Sequence, residues 1–143
     1  MRKFDIDYRK IKFEITETQI LTDKGGIVKF LGRMLKTGLD ISLDDFGVGF
    51  SSIKNMILFP ISEIKIDKSF TDKLLHDEKT EVIVESIIHA AKKSGYKVTA
   101  EGVETKRQFE KLRHMGCDKI QGYYISKPMP PEGIVAFVRS FGL

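Results

Sequence analysis

The stretch ISLDDFGVGFSS, residues 41–52, holds the pattern that decides the fold. A strand-like alternation places Ile41 and Leu43 on one face and Ser42 and Asp44 on the other. It then runs into a second aspartate, Asp45, and on into Gly47, Gly49, Ser51 and Ser52. Adjacent carboxylates repel each other, so a strand that ends on both needs a compensating reason. A metal site, a phosphate cradle and a plain polar turn are all open readings of this stretch alone.

The alternation recurs along the chain. Ile11, Phe13 and Ile15 oppose Lys12, Glu14 and Thr16, and Ile64 and Ile66 oppose Lys65 and Asp67. Val98 and Ala100 oppose Thr99 and Glu101, and Ile120 opposes Lys119 and Gln121. This predicts strands over 10–16, 40–45, 62–67, 96–102 and 118–126. Helical periodicity fills the gaps. Residues 26–38 place Ile27, Phe30, Leu31, Met34 and Leu35 on one face before Gly38, and a short helix is expected over 51–59 before Pro60. Residues 80–95 form an amphipathic segment ended by Gly95. Thr105 and Gln108 fit a capping box at the head of a helix over 106–115, ended by Gly116. A last helix opens at Pro130 and Pro131, with Ile134, Phe137, Val138 and Phe141 as its apolar stripe.

Strands alternating with helices imply an α/β fold with a parallel sheet. The joints resemble one another: Asp44 and Glu101 each stand six residues after a helix-stopping glycine, and Gln121 stands five after. In an open doubly wound sheet both faces of a central strand are covered, and its strands read as continuous apolar runs. Here every strand keeps one polar face. That pattern predicts a partial TIM-like (β/α) barrel, with about five of the eight strands such a barrel has. The domain is expected to span residues 1–143.

The totals narrow the function classes. A chain of 143 residues with 41% hydrophobic and 31% charged residues is a globular domain able to bury a core. Its net charge of +4 is dispersed over helix faces without interleaved aromatics, which argues against a nucleic-acid polymer as partner. A lone cysteine, Cys117, excludes disulfide frameworks and Cys-based zinc sites and reads as a small core residue. His76, His89 and His114 lack ligand spacing. No run has the length of a membrane span and no signal peptide opens the chain, so a cytoplasmic domain is expected.

The polar residues gather at the carboxyl ends of the strands: Glu14, Asp44 with Asp45, Lys65, Glu101 and Gln121. In parallel α/β folds that end carries the site. Structural ion pairing can absorb one lysine and one aspartate. The remaining carboxylates leave excess negative charge, for which a divalent cation is the natural remedy, and oxygen donors without sulfur favour Mg²⁺, Mn²⁺ or Ca²⁺.

The segments FEITE (13–17), LDDFGVGFSS (43–52), IKIDKSF (64–70), AEGVET (100–105) and QGYYISKPMP (121–130), in this order, resemble the EAL family of cyclic-di-GMP phosphodiesterases. The resemblance runs from about Lys10 to the C-terminus. It implies hydrolysis of one phosphodiester of cyclic-di-GMP to linear pGpG, with two Mg²⁺ or Mn²⁺ ions as cofactors. Carried over by position, it implies Glu14, Asp44, Asp45 and Glu101 as metal ligands, and Lys65 beside the attacking water. It further implies that Glu101 binds or activates that water, with Glu104 as a supporting carboxylate. Gln121 resembles the strand-end amide of the site, and Glu17 the glutamate that steadies the loop after the aspartates. Gly47 and Gly49 let that loop bend beside the site, and the serines can start the next helix. Val48, Phe50 and Lys68 stand where the family usually has Thr, Tyr and Arg.

One departure is large. The glutamate of the family's Glu-Ala-Leu motif and an asparagine on its following strand, both metal ligands, have no counterpart in these residues. The sequence reads as a truncated domain that begins just before the family's fourth strand. Its first and last strands are then open edges. The expectation is a chain that is marginally stable alone, inactive by itself, and completed by a second copy or a complementing N-terminal chain. The alternative is a non-catalytic module that binds nucleotide or a protein partner.

Overall fold

The structure is a computed structural model that describes residue 7 and residues 10–16, 18–19, 26–47 and 60–140. Its frame is a five-stranded parallel sheet in the order β1-β2-β3-β4-β5. The strands are β1 (Lys12–Thr16), β2 (Asp40–Phe46), β3 (Glu63–Ile66), β4 (Lys97–Ala100) and β5 (Lys119–Ile120). The helices are α1 (Gly26–Leu35), α2 (Lys68–Lys73), α3 (Glu78–Lys93), α4 (Lys106–His114) and α5 (Pro131–Ser140). The predicted strands and most predicted helices are therefore present. The helix expected over 51–59 lies outside the described residues.

The alternation divides the sheet as expected. Ile41, Leu43, Ile64, Ile66, Val98 and Ala100 are 0–1% exposed and form the face that the helices cover. α3 meets them with Val84, Ile88 and Ala91, spaced four and three residues apart on one helical stripe. Each buried valine, leucine or isoleucine among them contributes roughly 1.5–3 kcal/mol, and each alanine less. Caps fix the helix ends. Asp77 accepts from the Lys79 amide, so α3 begins at Glu78, two residues earlier than the sequence suggested. Thr105 and Gln108 form the expected capping box at the head of α4.

Three features differ from the sequence-based expectation. The six-residue α2 was not foreseen; Asp67 caps it by accepting from the Ser69 amide. β5 keeps only two of its nine expected residues. Past Ile120 the chain turns out of the sheet: Gly122 packs so closely on the Val103 backbone that a Cβ there would collide with its carbonyl, and the Tyr124 amide donates to that carbonyl at 2.9 Å. The apolar stripe of α5 buries none of its residues: Ile134 is 47% and Val138 41% exposed, and Phe141 lies outside the described residues. Among the described residues no helix is long and apolar enough to cross a membrane.

The middle of the polar face is buried as well. Ser42, Glu63, Lys65 and Thr99 are all 5% exposed or less. Glu63 is the hub of its lower layer. It accepts from Lys12 at 2.5 Å, Lys119 at 2.7 Å and the Thr99 hydroxyl at 2.6 Å, tying β1, β3, β4 and β5 to one carboxylate. Burial pushes this carboxyl up, but the bonds from Lys119, Lys12 and Thr99 outweigh it and hold the pKa at about 2, against 4.5 ordinarily.

A folded pKa below the unfolded one means that the stabilisation is complete above about pH 4.5 and lost as pH falls toward 2. Glu63→Gln strips both lysines of their counter-charge and should cost about 3 kcal/mol at pH 7. Urea unfolding between pH 7 and pH 3 checks both points: the wild type loses stability on acidification more steeply than the variant.

Candidate functional site

Lys65, on β3, sits at the centre of the upper layer. Its ammonium lies 2.8 Å from Glu101, 3.0 Å from Asp44 and 3.0 Å from Glu14, so three strands converge on one cation. Burial lowers the pKa of this amine, but its contacts with Glu101, Asp44 and Glu14 outweigh that and raise it, so the group stays charged across the neutral range. Three carboxylates around one ammonium leave the layer net negative.

The two adjacent aspartates reach the same place by a backbone device. The β2–β3 register runs Leu43↔Ile64 and then Phe46↔Ile66, so Asp44 and Asp45 together stand opposite Lys65. This is a β-bulge, one extra residue on one strand, and such bulges redirect side chains beside active sites. Asp45 takes φ 54°, the left-handed region, at the cost of some backbone strain. In a regular strand Asp44 and Asp45 would point to opposite faces. The bulge instead lets carboxylate oxygens of Asp44, Asp45 and Glu101 lie within 4.8 Å of one another.

The donor set suits a hard divalent cation: three carboxylates from two strands and no sulfur. Asp44 Oδ1 is buried and meets the Lys65 ammonium at 3.0 Å as an ion pair, with no other hydrogen-bond donor among the described residues. The carboxylates outnumber the one positive charge that Lys65 brings to them, which is the imbalance a further cation would answer.

The other expected site residues are arranged around this cluster. Glu14 is half-exposed and meets the site through Lys65 rather than as a member of the converging trio. Glu104 is paired with Lys68, away from the trio. Gln121 is exposed just past β5, and its backbone bonds to Ala100 and Val103. Gly47 turns at φ 100° directly after β2, as its placement required. Glu17 and Gly49 lie outside the described residues, as do Val48 and Phe50. Sequence reasoning did not find Lys68 as the partner of Glu104, nor Phe70, whose ring lies against Gly47.

Comparison with known proteins places this geometry. The EAL domain profile matches residues 2–128. This chain belongs to the EAL family. The oxygen sensor protein DosP of Escherichia coli K12 is 39% identical over 140 residues, which is 98% of this chain and 18% of that protein. Among solved structures, the PaMucR phosphodiesterase in complex with c-di-GMP superposes with a TM-score of 0.87 at 34% identity, covering 93% of this chain and 54% of that one. The Klebsiella pneumoniae BlrP1 complex with manganese and cyclic-di-GMP superposes at 0.81 with 28% identity, covering 86% and 31%. The curated relatives that this EAL chain matches are longer proteins, of which it spans between 16% and 34%.

The left-handed Asp45 gives a stability test of the geometry. Asp45→Gly relieves both the backbone strain and the repulsion with Asp44, and should raise the metal-free unfolding free energy by about 1 kcal/mol. Asp45→Ala removes the charge but keeps the strain, and should gain less. Chemical denaturation in a chelator measures both.

Proposed function

We propose that this chain supplies part of a divalent-metal phosphodiesterase site that opens one ester of cyclic-di-GMP to give linear pGpG. The observation that carries the reading is the bulge at Asp44–Asp45. It gathers two adjacent carboxylates and Glu101 beside a buried lysine, in a chain of the EAL family whose solved relatives include c-di-GMP complexes.

In this reading Asp44, Asp45 and Glu101 would hold Mg²⁺ or Mn²⁺, with Glu14, beside them on Lys65, as a further ligand. Two such ions would supply a water of lowered pKa and positive charge at the phosphate. The chain's own residues do the rest. Lys65 keeps its proton on Nζ and offers fixed positive charge to the phosphate as negative charge develops on it. Glu101, on Lys65 at 2.8 Å, is placed to orient the attacking water and accept its proton. Glu104, held by Lys68, and Gln121 border the mouth. Glu17, Gly47 and Gly49 support the loop after the aspartates.

The reading also covers what completes the site. β1 and β5 each lack a partner on one side among the described residues, and a cleft of about 370 Å³ lined by Phe13, Ile27, Phe30 and Met34 lies beside β1. Further βα units on those edges, within one longer domain, a complementing N-terminal chain or a second copy, would enclose the polar interior. They would also add the glutamate and asparagine expected of the family. Residues 1–143 by themselves are then a partial domain without turnover.

The test combines binding and turnover. Mn²⁺ titrated into the 143-residue chain and followed by electron paramagnetic resonance should bind, and Asp44→Asn should weaken it at least tenfold. Chromatography should detect pGpG only when a segment carrying the Glu-Ala-Leu glutamate and the asparagine is supplied. In that complemented state Lys65→Met should lower the rate by about 10²–10³. Mn²⁺ binding indifferent to Asp44→Asn, with no product in either state, would sink the enzyme reading and leave the non-catalytic module.

A further inference from the structure

The site described above depends on a bulge staying at Asp44–Asp45, and a strand of period two does not by itself hold it there. Moving the extra residue by one position would send an aspartate to the opposite face. Something outside the strand must fix the register, and the unforeseen helix α2 is placed to do so.

α2 is mounted on β3, one residue past the strand that carries Lys65, by the Asp67 cap. From that mount the Phe70 ring reaches across to the turn that ends β2. A Cβ at Gly47 would lie 2.5 Å from Phe70 Cε2 and 2.8 Å from Cζ, so the ring is seated directly on the Gly47 backbone. Gly47 follows Phe46, which is buried in the core, and Phe46 follows the left-handed Asp45. The segment is therefore held on both sides: Phe46 from within the core, and the Phe70 ring over Gly47.

The same helix also holds the second site loop. The Lys68 stem lies where a Gly102 Cβ would be, 2.3 Å from Cγ, and its ammonium pairs with Glu104. Gln108 Nε2 donates to the Thr71 carbonyl at 3.0 Å, while Gln108 Oε1 accepts from the Glu104 and Thr105 amides at 2.9 Å. The loop that leaves Glu101 is thereby tied to α2 at its glycine, at its second glutamate and at the head of α4.

We propose that Phe70 is a positioning residue for the paired aspartates: its ring, seated on Gly47, locks the bulge that turns Asp44 and Asp45 toward one another. The metal consequence rests on the function proposed above, whereas the locking of the backbone stands on the geometry alone.

The experiment follows Phe70→Ala, Phe70→Leu, Phe70→Tyr and Gly47→Ala in the 143-residue chain, with Ile88→Val on α3 as a buried control. Two readouts are taken: hydrogen exchange of the Asp44–Gly47 amides without metal, and Mn²⁺ affinity. Phe70→Ala and Gly47→Ala should each speed exchange in that segment about tenfold or more and weaken Mn²⁺ by roughly 10–100-fold. Phe70→Leu should fall between, and Phe70→Tyr, which keeps the ring, should restore both. Ile88→Val should change neither beyond its general loss of stability. If Phe70→Ala does not fold, Phe70→Leu against Ile88→Val decides. Exchange at 44–47 in the Phe70 variants no faster than in that control overturns the proposal. If the wild type binds no Mn²⁺, the metal reading fails while the exchange data still judge Phe70.

Discussion

The ammonium of Lys65 is the constraint around which the rest is arranged. It is buried on the inner face of the sheet, where an unpaired charge would cost several kcal/mol. Its position is tolerable only because Glu14, Asp44 and Glu101 reach it from three different strands. Those contacts require parallel strands in the observed register, with Thr16 level with Asp44 and Ile66 level with Ala100. Removing β3 would take away Lys65 and leave Glu14, Asp44 and Glu101 without their shared counter-charge. The sheet is held by interior charge as well as by helices packed on its outside.

The two interior layers carry opposite imbalances. Below, one carboxylate, Glu63, answers two lysines. Above, one lysine answers three carboxylates, with Asp45 close by. The lower layer has every acid satisfied. The upper one leaves more carboxylates than Lys65 can neutralise, at the carboxyl ends of the strands. Excess negative charge is thus confined to the end where α/β folds build sites, and the potential there favours a cation. The bulge sharpens this by adding Asp45 to a place that a regular strand would have denied it.

How much of this the sequence revealed depends on range. Period-two alternation at Ile41–Asp44 and Ile64–Asp67 is local, and it located the strands, the outer core and the polar inner face. The Thr105–Gln108 capping box lies within four residues, so it too was legible. The Glu63 hub was not: its partners are 36 to 56 residues away, and a polar residue facing a barrel interior alternates just as one facing water does. α2 has six residues, too few for a hydrophobic period to show. The bulge leaves no mark in local composition, since it is defined by the neighbouring strand. β5 was overread because YYIS has strand propensity, whereas the close approach of Gly122 to Val103 ends the pairing.

Under the proposed function the same facts would couple metal binding to folding. Asp45 holds a left-handed backbone, and three carboxylates crowd within 4.8 Å. Each of these raises the free energy of the folded chain and not of the unfolded one. A cation that screens the carboxylates would bind the folded state alone and stabilise it by RT ln(1 + [M]/Kd). Because the folded chain already carries the repulsion among them, its relief would add to the binding energy. Affinity and foldedness at this site would then be linked through the geometry of Asp44 and Asp45. Any contact that fixes that geometry before the cation arrives, as the ring on Gly47 is placed to do, lowers the ordering that binding must still accomplish.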